Sequence, residues 1–496
     1  MDVLASLLDG FAVALRPENL LFAFLGSVVG TAVGVLPGIG PIAGIAILLP
    51  LTFKLDATGA IIMLSAIYYG AMYGGTITAV LMNVPGEGAS AVTCIDGYRM
   101  ARNGRAGAAL AIAAIGSFIG GTVATIVLVF AAPPLARVAL NFGPPEFFAL
   151  MVLGLVLLVT FSGEKVLLGL LSALLGMALA IPGVDFVEGT PRLTFGIMEL
   201  SDGLGFVPVI MGLYGIGEVL YSLERKEAPT IEDAQVGATM LTAEEMKESA
   251  APIARGTVLG IFLGLIPGIG TILPTLASYA LEKKVSRHPE RFGHGAIAGV
   301  AGPETTNNAY ANGALIPLFT LGVPASPTIA VLLGAFMMNG LQPGPFLFRD
   351  KPDFVWGVIA SLYIGNLILL VLNLPLVGLW VRLLKVPHSI LFSLILAFTL
   401  LGAFVTSNSL FDIGVLIVFG IVGYVFKKLD IPIAPMAFTL ILGPLTENSL
   451  RQALSMSGGE LSILTRGPIS TGLLILAAAA LLYPMVAALR SRRPPG

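Results

Sequence analysis

The sequence predicts an all-α polytopic membrane protein, organised as an inverted-topology internal repeat with two re-entrant (broken) helical hairpins and about 10–12 transmembrane helices. Three observations carry this expectation: the composition, a duplicated glycine-rich stretch and the placement of the basic residues.

Of the 496 residues, 56% are hydrophobic and 11% charged, and the mean hydropathy is +0.93. A soluble chain of this size would carry about a quarter charged residues, so the bulk of this chain faces lipid or other apolar helices. The net charge of −2 gives no basic field for nucleic acid. The single cysteine, Cys94, permits no internal disulfide, and His288, His294 and His388 leave little for a metal site. No cofactor is expected, and Na⁺ is the only metal ion in question. The N-terminus carries Asp2 and Asp9 with no early positive charge, and does not read as a cleaved signal peptide.

Gly26 to Gly40, GSVVGTAVGVLPGIG, recurs at an offset of 230 as Gly256 to Gly270, GTVLGIFLGLIPGIG. Identities fall at Gly26/Gly256, Val28/Val258, Gly30/Gly260, Gly34/Gly264, Pro37/Pro267, Gly38/Gly268, Ile39/Ile269 and Gly40/Gly270. That is an internal duplication. Glycines every fourth residue form a helical stripe without side chains, against which a second helix can pack closely. The helix then meets Pro37 or Pro267, which lacks an N–H, flanked by glycines that reach backbone angles closed to other residues. An apolar segment thus breaks in mid-membrane, which is tolerated only where it faces protein or a water-filled cavity. Such breaks at matching places in two halves point to a transporter's substrate site.

In chain order, 1–19 reads as an amphipathic helix and 20–53 as a broken hairpin with arms of roughly 15 residues, short of a full span. Spans follow at about 58–85, 108–132, 146–162, 166–182 and 204–222. Arg99, Arg102 and Arg105 place the loop after the first of these inside; the acidic loop from Asp185 to Asp202 fits the outside. Residues 1–222 form the first inverted repeat and 223–252 a polar cytoplasmic linker. The second repeat, 253–450, opens with a hairpin near 253–281, and its spans follow at about 296–321, 354–376, 387–405, 411–426 and 432–449; the apolar stretch 325–345 is ambiguous. A C-terminal helix with a basic cytoplasmic tail occupies 451–496. Because equivalent loops fall on opposite sides, the duplication is inverted. If each broken segment instead crosses once, every later loop changes side. A second match at offset 239 pairs Gly74 with Gly313 and Val84-Pro85 with Val323-Pro324. Trp356 and Trp380 read as interfacial anchors.

Gly302 to Gly313, GPETTNNAYANG, is the most informative polar run, because its side chains cost free energy in lipid unless buried against partners or water. Glu304, Thr305, Thr306 and Asn307 are candidate coupling-ion ligands; Asn307, Asn308 and Asn312 are candidate substrate contacts. Threonine and asparagine oxygens suit Na⁺, whereas their donors suit a carboxylate. Glu304 as a buried proton carrier, or the whole run as a cytoplasmic loop, are the alternatives. In the first half, Tyr73, Gly74, Gly75, Thr76, Asn83, Gly86 and Ser90 are the matching candidates, with Glu87 in the same run; tight helix packing alone would also explain the glycines. Pro37, Gly38, Gly40, Pro267, Gly268 and Gly270 would present amides at two half-helix mouths to an anion, against the alternative of a simple kink.

GVLPGIGPIAGIAILLPLTF (34–53), YYGAMYGGTITAVLMNVPGEGASAVTCIDGYRMARNGRAGAAL (68–110), GLIPGIG (264–270) and AGPETTNNAYANGALIPLFTLGVPAS (301–326) resemble the large membrane subunit of the tripartite tricarboxylate transporter family, the TctA type. The resemblance runs over about 15–485. It implies a bacterial inner-membrane secondary transporter, driven by a Na⁺ or H⁺ gradient, that takes up citrate or a related carboxylate. It also implies two partners, a small membrane subunit of about four helices and a periplasmic solute-binding protein. The rivals are a carboxylate transporter without a binding protein, a polytopic membrane enzyme and a channel. No H-E-x-x-H and no close pair of intramembrane aspartates supports the enzyme, so none is expected.

Overall fold

Pro17 fits the first turn of a helix, where its missing N–H costs nothing, and from it the first glycine-striped helix runs unbroken to Val35. The computed structural model describes residues 2–36, 38–161, 165–185, 188–225, 239–384 and 386–491. The first half consists of α1 (Val3–Ala14), α2 (Pro17–Val35), α3 (Gly40–Leu48), α4 (Ala57–Met82), α5 (Thr93–Arg102), α6 (Ala106–Ala139), α7 (Pro144–Thr160), α8 (Val166–Leu179) and α9 (Phe206–Ile210), which continues through a π-turn into α10 (Gly217–Arg225). A two-residue antiparallel pair, Gly183–Val184 with Pro191–Arg192, lies between α8 and α9. The second half holds α11 (Ala243–Gly264), α12 (Ile272–Val285), α13 (Ala298–Gly313), α14 (Leu315–Leu321), α15 (Pro327–Met338), α16 (Leu347–Asp350), α17 (Pro352–Asn373), α18 (Val377–Leu383), α19 (His388–Ser407), α20 (Leu410–Lys428), α21 (Ile433–Met456) and α22 (Pro468–Ser491). The protein is all-α and polytopic, and seven of the described helices are long and apolar enough to cross a membrane.

The glycine stripes do what their spacing requires. A Cβ added at Gly30 would lie 2.5 Å from the carbonyl oxygen of Ile67 on α4, and one at Gly260 would lie 2.5 Å from that of Thr306 on α13. Only a bare backbone allows these approaches. Around the two pairs the halves interlock: α6 runs along α13 and α11, while α17 runs along α4 and α2, with α1 laid on α17. Outside this core, α7 and α8 pack on α21 and α22, and α20 packs on α9, α10 and α19.

Backbone geometry recurs between the halves. Gly38 and Gly40 have φ of 91° and 63°, Gly268 and Gly270 have 78° and 72°. Asn83 ends α4 and Gly322 ends α14, both left-handed. Val84 N donates to Thr78 O at 3.4 Å and Val323 N to Pro317 O at 3.3 Å. Glu87 (φ −148°, ψ 168°) and Ser326 (φ −150°, ψ 164°) then cap the next helical turn with their side chains.

Several expected boundaries move. The first arm of the first broken segment is 19 residues, not about 15, because α2 starts at Pro17, and that of the second is 22, because α11 starts at Ala243. Ala243 to Pro252, expected in the linker, is helix opened by a capping box between Thr242 and Glu245; Glu245 also takes an ion pair from Arg105. Of that linker, 226–238 lies outside the described residues, as do Pro37 and the last five residues of the basic tail. α6 continues through Pro133 and Pro134 to Ala139. The span 296–321 splits at Ala314, since Pro317 cannot donate to the carbonyl of Gly313. The 325–345 stretch holds the 12-residue helix α15. Trp356 and Trp380 are not interfacial: both are buried, Trp356 against Gly10 and Trp380 with its Nε1 donating to Leu372 O at 2.9 Å.

Candidate functional site

Every residue of α13 is buried, including its six polar side chains from Glu304 to Asn308 and Asn312. Residues 100° apart on a helix face different neighbours, and the run divides accordingly. Glu304 faces the first half: Thr76 Oγ1 of α4 donates to its Oε2 at 2.7 Å, and Thr93 of α5 donates to its Oε1. Thr305 turns to α6, where a Cβ at Gly116 would meet its hydroxyl at 2.5 Å, and it donates to Ala301 O. Thr306 turns to α11 and donates to Gly256 O and Gly302 O. The structure therefore does not bring the Thr305 and Thr306 hydroxyls to Glu304.

Asn307 reaches the loop after α4, its Nδ2 3.3 Å from Glu87 Oε1. The other oxygen of Glu87 accepts from Ala89 N at 3.0 Å, and Ser90 Oγ donates to Glu87 O at 2.8 Å. Gly75 and Gly86 close this loop onto α4: Gly86 N donates to Gly75 O at 3.4 Å, and a Cβ at Gly75 would lie 2.9 Å from Glu87 Cγ. Thr76, Gly75, Gly86, Ser90, Glu304 and Asn307 thus form one cluster across the two halves, with Glu87 at its centre. Gly74 packs against the end of α2.

The remaining expected residues lie elsewhere. Asn308 Nδ2 donates to Ser117 Oγ at 2.7 Å, and Asn312 Nδ2 to Gly121 O at 3.0 Å, both on α6. Tyr73 donates to Asn366 Oδ1 of α17 at 2.7 Å. Asn83 is an exposed helix cap. Each of the two tips sits against its own partner. Gly38 lies against the Glu218 carboxylate, itself paired with Lys427, whereas Gly268 lies against Gly154 and Leu158 of α7 with Pro267 beside Gly154. Gly40 and Gly270 have open space where a Cβ would stand. A cavity of about 20 Å³ borders Leu36, Ile39, Tyr214 and Glu218 at the first tip, room for roughly one water.

Thr93, Ser117 and Asn366 belong to this polar network and were not singled out in the sequence. Asn366 had a signal, an amide inside an apolar span. Thr93 had none, because its partner is 211 residues away.

Electrostatically the interior is one-sided. Glu87 and Glu304 are buried, and no Lys, Arg or His is among the buried described residues. Cations pair instead at less buried positions, as in Arg192 of the strand pair with Glu447 at 2.7 Å and Lys165 with Asp430 at 2.9 Å, and the buried Asp185 and Glu282 pair with the half-buried Arg451 and Arg255. Among the described residues no group of three or more His, Cys, Asp or Glu could hold a metal ion.

A lipid-spanning helical body that buries carboxylates and amides at the junction of its two halves defines a polytopic membrane protein with an internal polar site. The chain belongs to the Tripartite tricarboxylate transporter TctA family, which matches residues 20–438, and so to the large membrane subunits of such transporters. Among its relatives, an "Uncharacterized 52.8 kDa protein in TAR-I ttuC' 3'region" of Agrobacterium vitis is 47% identical over 493 residues, covering 99% of this chain and 98% of the relative. An "Uncharacterized protein in TAR-II ttuC' 3'region" of the same organism is 44% identical over 234 residues, 47% of this chain and 97% of the relative. No solved structure matches.

Proposed function

We propose that this chain is the large transmembrane subunit of a binding-protein-dependent secondary transporter in a bacterial inner membrane. It imports a tricarboxylate or related carboxylate by alternating access, coupled to a Na⁺ or H⁺ gradient. A periplasmic solute-binding protein delivers the substrate, and a small four-helix membrane subunit completes the assembly. The observation that carries this reading is the buried cluster around Glu87, Glu304 and Asn307, contributed by both halves. Two buried carboxylates without a buried cation repel an anion unless a cation enters with it, which is the requirement for symport.

On this reading the coupling cation belongs to the carboxylate cluster, and backbone amides of the broken segments, at Gly38–Gly40 or Gly268–Gly270, receive a substrate carboxylate. The inverted arrangement of the halves would offer one site to either side in turn. The core of α1–α6 and α11–α18 would slide against α7–α10 and α19–α22. Cross-links that trap one core helix at two depths support this, and a core immobile through transport removes it.

The deciding measurement is uptake of radiolabelled citrate, then of a panel of other carboxylates, into proteoliposomes holding all three components. Uptake that depends on an inward Na⁺ or H⁺ gradient and is lost in Asn307→Ala is expected. Failure across the panel under both gradients overturns the reading.

A further inference from the structure

The two helices of the first glycine-striped pair begin at one corner of the molecule. α2 and α4 run side by side in the same direction, Gly26 against Met63 and Gly34 against Ala71, and both are long and apolar enough to cross a membrane. Their charged first residues therefore stand at the bilayer surface. An open cavity of about 450 Å³ lies there, bordered by Arg16, Glu18, Asn19, Lys54 and Asp56. That is within the roughly 300–1,000 Å³ common for small-molecule sites.

The corner holds polar groups that the protein leaves unsatisfied. Asn19 is 3% exposed; its Nδ2 donates to Val13 O at 2.8 Å, and its Oδ1 has no hydrogen-bond partner. Asp56 caps α4, accepting from Thr58 N at 3.0 Å and Gly59 N at 3.2 Å, whereas no side chain caps α2, whose positive end stays open. Arg16 and Lys54 are exposed and have no ion-pair partner among the described residues. One turn further along α2, Leu21, Phe24 and Leu25 make an exposed apolar face.

These features select a ligand. Arg16, Lys54 and the open end of α2 call for an anionic group, while the bare Asn19 oxygen, with Glu18 and Asp56 beside it, calls for a positively charged donor. Two cations and two carboxylates around one cavity match a zwitterion. A tricarboxylate would set three negative charges against Glu18 and Asp56, and a quaternary ammonium has no N–H for Asn19. We propose that this corner binds a phospholipid whose headgroup is a phosphodiester carrying a primary ammonium, a phosphatidylethanolamine. Its phosphate lies against Arg16, Lys54 and the start of α2, its ammonium donates to Asn19 Oδ1, and an acyl chain follows Leu21, Phe24 and Leu25. The site is separate from the polar cluster at the junction, and binding requires neither substrate nor partner proteins.

The test is binding of tritiated dioleoylphosphatidylethanolamine to the delipidated, full-length chain in detergent, with unlabelled competitors at fixed ionic strength. Saturable binding is expected, with phosphatidylcholine, which has no N–H, and phosphatidylglycerol, which has no cation, competing roughly tenfold more weakly. Glycerophosphoethanolamine, the same headgroup without chains, should compete roughly a hundredfold more weakly, and citrate not at all. Arg16→Gln and Lys54→Gln should each weaken binding about fivefold. Asn19→Ala should narrow the preference over phosphatidylcholine to within about threefold. Lys284→Gln, at an exposed cation on α12, should bind within about twofold of wild type. Because Arg16 and Lys54 are exposed, their variants carry the test if Asn19→Ala does not fold. Equal competition by all three phospholipids, or an Arg16→Gln/Lys54→Gln double variant binding like wild type, overturns the site and leaves only unspecific lipid contact. Glycerophosphoethanolamine competing as well as the lipid overturns the lipid as ligand, and displacement by citrate overturns it in favour of substrate.

Discussion

The pairs α2–α4 and α11–α13 are packed by the same device and filled with different chemistry. In each, glycines four residues apart bring one helix onto the carbonyls of the other, at Met63, Ile67 and Ala71 in the first pair and at Gly302, Thr306 and Tyr310 in the second. These positions correspond one to one at offset 239. On the faces pointing away from the glycines the match ends. Where α13 has Glu304, Asn307, Asn308 and Asn312, α4 has Ser65, Tyr68, Tyr69 and Tyr73. Backbone approach leaves no room for variation, so the packing stripe persists, while side chains facing the junction are free to diverge. The result is a near-symmetric scaffold around an asymmetric charge, with one carboxylate from each half, Glu87 and Glu304, whose counterparts Ser326 and Ser65 carry none.

If the two stripes are equivalent, enlarging either should be equally ruinous. Gly30→Leu and Gly260→Leu are each expected to cost 3 kcal/mol or more, on the order of severe overpacking, and to abolish the monodisperse peak in size-exclusion chromatography. One variant tolerated and the other not would break the equivalence. The charge difference predicts a smaller but one-sided effect. Glu304→Ala strands the hydroxyls of Thr76 and Thr93 and should lower uptake by roughly a hundredfold, whereas Ser65→Ala, its counterpart, should leave uptake within about threefold.

Next come the contacts each pair makes with the helix beside it. Tyr73→Phe removes the bond to Asn366, and Asn312→Ala removes the bond to Gly121 O; each should lower stability by about 1 kcal/mol in thermal melts. The weakest effect is expected at the Asn83 cap. Asn83→Gly, at φ 57°, should be neutral or slightly stabilising, while Gly322→Ala, at φ 68° and with its Cβ 2.4 Å from Pro343 O, should cost about 1 kcal/mol for the backbone angle and more for the clash. Opposite signs at these two positions would confirm that both caps need a left-handed residue.

What was legible in the sequence follows the same division. The stripe from Gly26 to Gly34 and its copy could be read because the absence of a side chain at helical spacing has one structural use, and the copy removes coincidence. The polar run from Glu304 to Asn312 was legible as a site because lipid penalises it, yet the direction of each side chain was not. Thr305 and Thr306 sit beside Glu304 in sequence and face other helices. Glu87 stood in a run noted for Asn83 and Ser90; only the fold brings it to Asn307, 220 residues away. The two tryptophans misled because their flanking position on an apolar segment does not reveal that α1 and the turn into α18 cover them.

The window that makes α4 a candidate span is 94% buried, and that of α19 is 22% buried. Lipid therefore touches the outer helices and scarcely reaches the helix that shapes the junction. A bilayer of different hydrocarbon thickness would tilt or stretch α19 first, at a cost of fractions of a kcal/mol per Å. Chain length of the lipid should thus tune how the outer shell rides on the core, as an adjustable bearing does, without altering the contacts around Glu304.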